Sequence, residues 1–288
     1  MWSPTSCRPW SPDPLQVPEL IEVEYYRRTA ERLVGRTIAS VDATDSWFLK
    51  RGTTAESLEA ALVGHRVTAA RRHGKLLLLD TDDRCDEPDG ERSGHGPTLG
   101  LRFGMTGRLI VDEAVAIDRL AYASGRDDPA WDRFGLVFTD GGLLRMQDPR
   151  RLGGVELEPD ESRLGPDALA VTVGGLSAAL AGGSGPLKAR LLDQGRLAGV
   201  GNLLADETLW RAGLDPGRPA GSLEADEVRR LHRHLRATIR RLLDRGGSHL
   251  GDLQVARLRG GQCPRDGTEL QRRTVGGRTT YSCPAHQQ

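Results

Sequence analysis

Along this chain the spacing of apolar residues changes period once, and that change limits the folds open to it. Between residues 37 and 146 the apolar residues come in short β-branched or leucine-rich runs, at 37–41, 65–70, 76–80, 99–103, 108–112, 136–140 and 143–146. Seven runs of strand length, punctuated by glycine turns, predict a β-sandwich or barrel. Beyond residue 186 the period becomes helical. Leu187, Arg190 and Leu191, then Leu203, Leu204, Leu209 and Trp210, fit two helices interrupted by Gly199-Val200-Gly201-Asn202. Residues 223–243 read as a long arginine-rich helix capped by Ser222, with Glu224 and Glu227 in its first turns. One helix precedes the strands: Val23, Tyr26, Ala30 and Leu33 share a face and Gly35 ends the run. Residues 153–185, with Pro159, Pro166 and many glycines, read as a connector, and 81–98 and 114–132 as surface loops. The chain closes in short runs around Cys263 and Cys283, predicting a β-hairpin. The expected class is α+β: sandwich, helical domain, hairpin.

A chain of 288 residues with 38% hydrophobic content can bury one or two ordinary cores without staples. Basic and acidic residues balance at 40 each, so net charge points to no partner. The distribution does: from Asp226 to Gln288 there are thirteen arginines against six acidic residues, which makes the C-terminal end electropositive. Only Lys50, Lys75 and Lys188 are lysine, and in so arginine-biased a chain a surviving lysine suggests a need for a compact ammonium. Four scattered cysteines, Cys7, Cys85, Cys263 and Cys283, form no disulfide framework and point to a reducing cytoplasm. Residues 1–16 hold four prolines and no apolar periodicity, a disordered leader by composition that lacks the apolar core of an export signal.

At the leader's edge stands Val17-Pro18-Glu19-Leu20-Ile21-Glu22-Val23-Glu24. A proline that begins a chain is a free secondary amine of pKa about 8, against roughly 10.4 for lysine, and can attack an electrophilic carbon near neutral pH. Inside a chain its nitrogen is an amide. Valine codons can initiate translation in bacteria, so a chain whose translation starts at Val17 and whose initiator is removed would begin at Pro18. The alternative is that Pro18 is simply the first residue of a helix.

Pro-Glu-Leu-x-Glu-Val-Glu at 18–24, His-Gly-Lys-x-Leu-Leu-Leu at 73–79, Gly-Met-Thr-Gly at 104–107, Asp-Pro-Arg-Arg-x-Gly at 148–153 and Gly-Val-Gly-Asn-x-x-Ala-Asp-Glu at 199–207 are weak singly and strong in this order. From Pro18 to its end the chain resembles the formamidopyrimidine-DNA glycosylase/endonuclease VIII family of base-excision repair. The resemblance implies an N-terminal β-sandwich catalytic domain at 18–152, a linker at 153–185, a helix-two-turn-helix domain at 186–250 and a zinc-finger-like hairpin at 251–288. It implies a proline nucleophile, Pro18, which displaces the damaged base from the sugar and then supports strand-cleaving elimination through a Schiff base. Glu19 is implied as acid/base partner, and Lys75 as a lysine reaching phosphate and lesion. Met105, Arg150 and Leu152 would fill the hole left by a flipped base. Lys188, Asn202 and Arg278 would grip phosphates, and Gly199 and Gly201 would let backbone N–H groups approach one. Glu22 and Glu24 read as first-turn helix carboxylates.

Three departures from the family pattern carry consequences. Ile21 replaces a usual second proline, which should loosen that loop. The finger keeps C-x2-C spacing while its four positions become Cys263, Asp266, Cys283 and His286, a set that can still hold one structural Zn2+. Residues 246–262 run almost directly into Cys263, leaving no room for the lid that closes over 8-oxoguanine in specialised members, so the pocket should be open. The resemblance implies a DNA glycosylase/AP lyase, monomeric, cytoplasmic and nucleoid-associated, acting on oxidised bases or abasic sites in damaged duplex DNA and needing no membrane. A catalytically silent damage-binding paralogue with a blocked Pro18, and an architectural DNA-binding protein, are the alternatives.

Overall fold

The computed structural model describes residues 18–82, 95–117 and 126–288. The expected leader, Cys7, Cys85 and most of the expected loop at 81–98 lie outside the described residues. Helix α1 (Leu20–Ala30) opens the fold. Strands β1 (Ile38–Asp42), β2 (Val67–His73), β3 (Leu76–Asp82), β4 (His95–Arg102), β5 (Arg108–Val111), β6 (Ala114–Val115), β7 (Asp132–Phe138), β8 (Leu143–Gln147) and β9 (Gly154–Leu157) follow, with helix α2 (Ala55–Leu62) between the first two. They form two antiparallel sheets, ordered β1-β7-β8-β5-β6 and β2-β3-β4-β9. The period of two turns alternate side chains of both sheets into one core, which takes Leu77, Leu79, Leu99 and Leu101 from one sheet and Leu109, Phe134, Leu136 and Met146 from the other.

All seven expected runs are strands, and β9 is an eighth main strand. It lies beyond residue 152, where the sequence suggested a linker, and its Val155 joins the sandwich core. The same stretch holds helix α3 (Val173–Leu180), capped by Thr172, whose Leu176 and Leu180 belong to a second core. Glycines at 174 and 175 hid that helix. The second core is completed by α4 (Leu187–Leu192), α5 (Asn202–Ala212) and α6 (Ala225–Arg245). The N-cap of α6 is Glu224, not Ser222, whose hydroxyl donates to the Pro219 carbonyl instead. A hairpin, β10 (Gln271–Val275) with β11 (Arg278–Ser282), closes the chain over a small core of Trp210, Leu253, Leu270 and Tyr281. Among the described residues no helix is long and apolar enough to cross a membrane.

Helix α1 is what joins the two large cores. Val23, Tyr26 and Ala30 face the sandwich, while Leu20 and Ile21 are buried among the helices. Ile21 is therefore the second residue of a packed helix, and the expected loosening of a loop there does not occur. Pro18 and Glu19, at the start of α1, are carried into the seam between the cores.

Candidate active site

Glu19 is the N-cap of α1, so Pro18 stands one residue outside the cap and is not a helix-opening proline. Both are buried. The Glu19 carboxylate accepts the backbone N–H groups of Leu203 (2.8 Å) and Leu204 (3.0 Å), two of the orphan donors at the positive end of α5. Burial raises its pKa above the ordinary carboxyl value, against the opposing pull of the nearby Lys75 charge and those two N–H groups. Glycine makes this approach possible. A Cβ on Gly201 would lie 2.1 Å from the Glu19 carboxyl carbon, and one on Gly199, at φ +104°, would lie 2.7 Å from Leu20. Gly199 and Gly201 thus seat α1, and the Gly199 N–H, in the loop expected to approach a phosphate, donates to Gln194 Oε1 at 2.9 Å.

Glu22 is also fully buried. It accepts the N–H of Glu19 (2.9 Å) and that of Ser248 (2.7 Å), fastening α1 to the segment after α6. Burial, and then the Glu19 charge, push its pKa up to about 7. It is more than a first-turn helix carboxylate. Glu24, by contrast, accepts from Arg27 and Arg72 and falls below its ordinary value despite burial.

Lys75 occupies the Gly74-Lys75 turn between β2 and β3, half-buried. Burial lowers its pKa, the Glu19 and Glu22 charges raise it, and Arg278 lowers it again. That Arg278 acts on Lys75 places the exposed tip of the hairpin in the same electrostatic neighbourhood. Asn202, the first residue of α5, is half-buried, and its Oδ1 is buried with no hydrogen-bond partner among the described residues.

Lys188 corrects the sequence reading. It is wholly buried, with Nζ 2.7 Å from Asp206 Oδ1, 2.7 Å from the Thr280 hydroxyl and 3.1 Å from the Thr279 carbonyl, so it has no surface to offer a phosphate. The Asp206 carboxylate also meets Arg257 at 3.1 Å and accepts the Tyr281 N–H. Lys188 therefore anchors β11 to α4 and α5. Nothing local in the sequence marks either partner: Asp206 sits within the 199–207 motif beside Glu207, and Arg257 is one of several arginines near the C-terminus.

Met105 sits half-buried on the turn between β4 and β5, and Arg150 and Leu152 sit exposed on the loop between β8 and β9, Leu152 at 48%. The two turns touch: a Cβ on Gly104 would lie 2.4 Å from the Leu152 carbonyl carbon. The structure brings the two turns that carry these three residues into contact.

Cys263, Asp266, Cys283 and His286 converge so that one ligand atom from each lies within 4.8 Å of the others. Cys283 Sγ lies 3.3 Å from Asp266, His286 Nδ1 2.7 Å from Asp266 and 3.9 Å from Cys263 Sγ, bracketing the roughly 3.3–3.8 Å between neighbouring ligands of a tetrahedral zinc. The surroundings fit a bound cation. His286 Nε2 pairs with the Trp210 carbonyl at 3.2 Å, which leaves Nδ1 free to ligate, and the Trp210 indole N–H and Arg265 N–H donate to Cys263 Sγ. This cluster can hold a metal ion.

Comparison with known proteins places this geometry. The family model for the formamidopyrimidine-DNA glycosylase N-terminal domain matches residues 17–155, and that for the H2TH domain of the same glycosylase matches 164–253. The formamidopyrimidine-DNA glycosylase of Paracoccus denitrificans is 35% identical over 300 residues, covering 94% of this chain and all of the relative. Among solved structures, a Lactococcus lactis Fpg mutant bound to Fapy-dG DNA is similar at a TM-score of 0.75 and 27% identity, covering 94% of this chain and all of that one. The same organism's Fpg bound to abasic-site DNA is similar at 0.74 and 26%, covering 94% and 99%.

Proposed function

This chain belongs to the formamidopyrimidine-DNA glycosylase family, and from that premise we propose that it excises oxidised bases from duplex DNA and cleaves abasic sites, with Pro18 as nucleophile and Glu19 as acid/base partner. The observation that carries the assignment is the Glu19 carboxyl. It is buried next to Pro18, is held only by backbone N–H groups, and is raised in pKa by burial, which makes it a better proton donor than an exposed carboxyl. With Pro18 as a free amine, its lone pair attacks the sugar C1′ as the bond from C1′ to the base breaks, the bonding pair leaves on the base, and the base takes up the proton that the proline nitrogen loses. Glu19 supplies the proton to the sugar oxygen as the ring opens, leaving the Schiff base from which elimination cleaves the strand. Lys75, Asn202 and Arg278 line the phosphate path, Met105, Arg150 and Leu152 enter the space of the flipped base, and Lys188 positions the hairpin. The Lactococcus lactis relatives bound to abasic-site and Fapy-dG DNA support the same substrate class here.

Borohydride trapping on abasic-site duplex tests the nucleophile. A chain beginning at Pro18 should form the covalent adduct, Pro18→Gly in that form should trap far less, and the 288-residue form with its amide at Pro18 should not trap. Equal trapping of both lengths would move the reaction to a lysine. No trapping by either would favour a damage-binding protein without catalysis.

We also assign one structural zinc to Cys263, Asp266, Cys283 and His286. These residues would hold it and so fix the hairpin that carries Arg278. Elemental analysis should find on the order of one zinc per chain. A metal-free protein whose DNA binding survives chelation would mean the hairpin is held by packing and by the pair of Lys188 and Asp206.

A further inference from the structure

The three residues assigned to the flipped-base space stand on two separate turns, and a single carboxylate joins them. Asp148 is fully buried, and no cationic side chain pairs with its carboxylate among the described residues. Its Oδ1 accepts the Thr106 hydroxyl, from the turn carrying Met105, and the Arg150 N–H at 3.1 Å. Its Oδ2 accepts the Gly153 N–H at 2.7 Å, closing the loop that carries Arg150 and Leu152. Its own backbone is fixed on the sandwich, the N–H donating to the Trp131 carbonyl and the carbonyl accepting from Arg133 Nε, both at 2.9 Å. A carboxylate buried without a counter-cation is tolerated only where its donors are complete, and here three donors from two turns complete it.

We propose that Asp148 is a positioning residue that makes these turns one wedge, so that Met105, Arg150 and Leu152 enter the duplex together or not at all. The proposal rests on the reading that these side chains fill the space of the flipped base. An asparagine at 148 keeps the shape but has only one acceptor oxygen, and its NH2 would point at a donor, so one turn is released. Thr106→Val removes a single link, and Thr106→Ser keeps it.

The test uses the form beginning at Pro18 and compares base excision from a lesion duplex with cleavage of a single-stranded abasic-site oligonucleotide, which has no opposite strand to part. A 2-aminopurine opposite the lesion reports insertion. Asp148→Asn and Thr106→Val should each slow single-turnover excision from duplex by about ten- to a hundredfold and abolish the 2-aminopurine signal. Single-strand cleavage should be unchanged, and Thr106→Ser should behave as the unaltered protein. Equal loss on both substrates would mean that Asp148 serves the fold or the chemistry, and no loss on either would mean the turns hold their register without it; both overturn the proposal. If Met105→Ala and Leu152→Ala leave duplex excision and the 2-aminopurine signal intact, the wedge reading itself falls and takes the proposal with it.

Discussion

Two carboxylates meet helix α5, and comparing them separates chemistry from architecture. Glu19 and Asp206 are equally buried, and burial raises both above the ordinary carboxyl range. Asp206 is bracketed by two fixed cations, Lys188 at 2.7 Å and Arg257 at 3.1 Å. Glu19 is bound by backbone dipoles alone, while Lys75 and Arg257 act on it through space. Protonating Asp206 would strand two cations in the interior, so its ionisation is tied to the fold. Glu19 can gain or lose a proton without stranding anything. Burial alone does not mark a reactive acid, and the nature of its partners does.

The sharpest way to break this comparison is Glu19→Gln in the form beginning at Pro18. The amide cannot carry the proton, so excision in single turnover should fall by about 10²–10⁴-fold. Folding should lose only about 1 kcal/mol, for one weakened hydrogen bond to α5. Activity within tenfold of the unaltered protein would remove Glu19 from the proton path.

Asp206→Asn should do the reverse. Leaving Lys188 and Arg257 buried without a full counter-charge should cost about 3–5 kcal/mol in urea unfolding and loosen the hairpin first, since Lys188 holds Thr279 and Thr280 and Asp206 holds Tyr281. A combined Asp206→Leu, Lys188→Met and Arg257→Met change, which removes all three charges, should recover much of that loss. Similar stability losses for Glu19→Gln and Asp206→Asn would erase the distinction.

What the sequence disclosed follows the same division. Strands announced by runs such as Leu76 to Leu79, and helices announced by Leu203, Leu204, Leu209 and Trp210, are where period and turn residues predict them, because burial on one face leaves a local signal. The helix at Val173–Leu180 and the strand at Gly154–Leu157 were hidden among glycines whose conformations only tertiary contacts fix. Motif spacing pointed to Glu19, Lys75 and the four candidate metal ligands. It could not say that Lys188 turns inward, since nothing local to Leu187-Lys188-Ala189 distinguishes a lysine bound to Asp206 from one facing solvent. Asp148 was invisible for the same reason: its donors come from residues 106, 150 and 153, and only the fold brings them to one carboxylate.

Glu22 sharpens the comparison because it lies between the two cases, buried, bound by two N–H groups and pushed up to about 7. Below pH 4.5 both folded and unfolded chains hold its proton. As pH rises from there to about 7 the unfolded chain ionises first, so stability falls across that window by about 3 kcal/mol and then levels. Glu22→Gln cannot ionise. Its unfolding free energy should be lower at pH 5, through one lost acceptor, but lack that decline between pH 4.5 and 7. An unaltered decline in the variant would assign it to Glu19 or another group.

The smallest effect expected is on lesion choice, where the two regions meet. The segment from Gly246 to Gln262 touches both: Ser248 donates to Glu22, and Arg257 pairs with Asp206. Between them Asp252 and Leu253 donate their N–H groups to Glu207, and Leu253, Gln254 and Ala256 are buried. A segment pinned at so many points has little slack with which to fold over a purine. Because 8-oxoguanine differs from guanine at few atoms, selecting it needs an enclosing set of hydrogen-bond partners. Fragmented or ring-saturated bases are already poorly stacked, and an abasic site has nothing to unstack, so they need less from the pocket. Leu152, exposed but without an aromatic face, adds little support to the orphaned opposite base. The expected order in single-turnover assays on matched duplexes is abasic site, then formamidopyrimidine or oxidised pyrimidine, then 8-oxoguanine, the steps being about tenfold. Excision of 8-oxoguanine at or above the rate for the others would show that selectivity here is set by the wedge and the seam around Glu19 rather than by a covering loop.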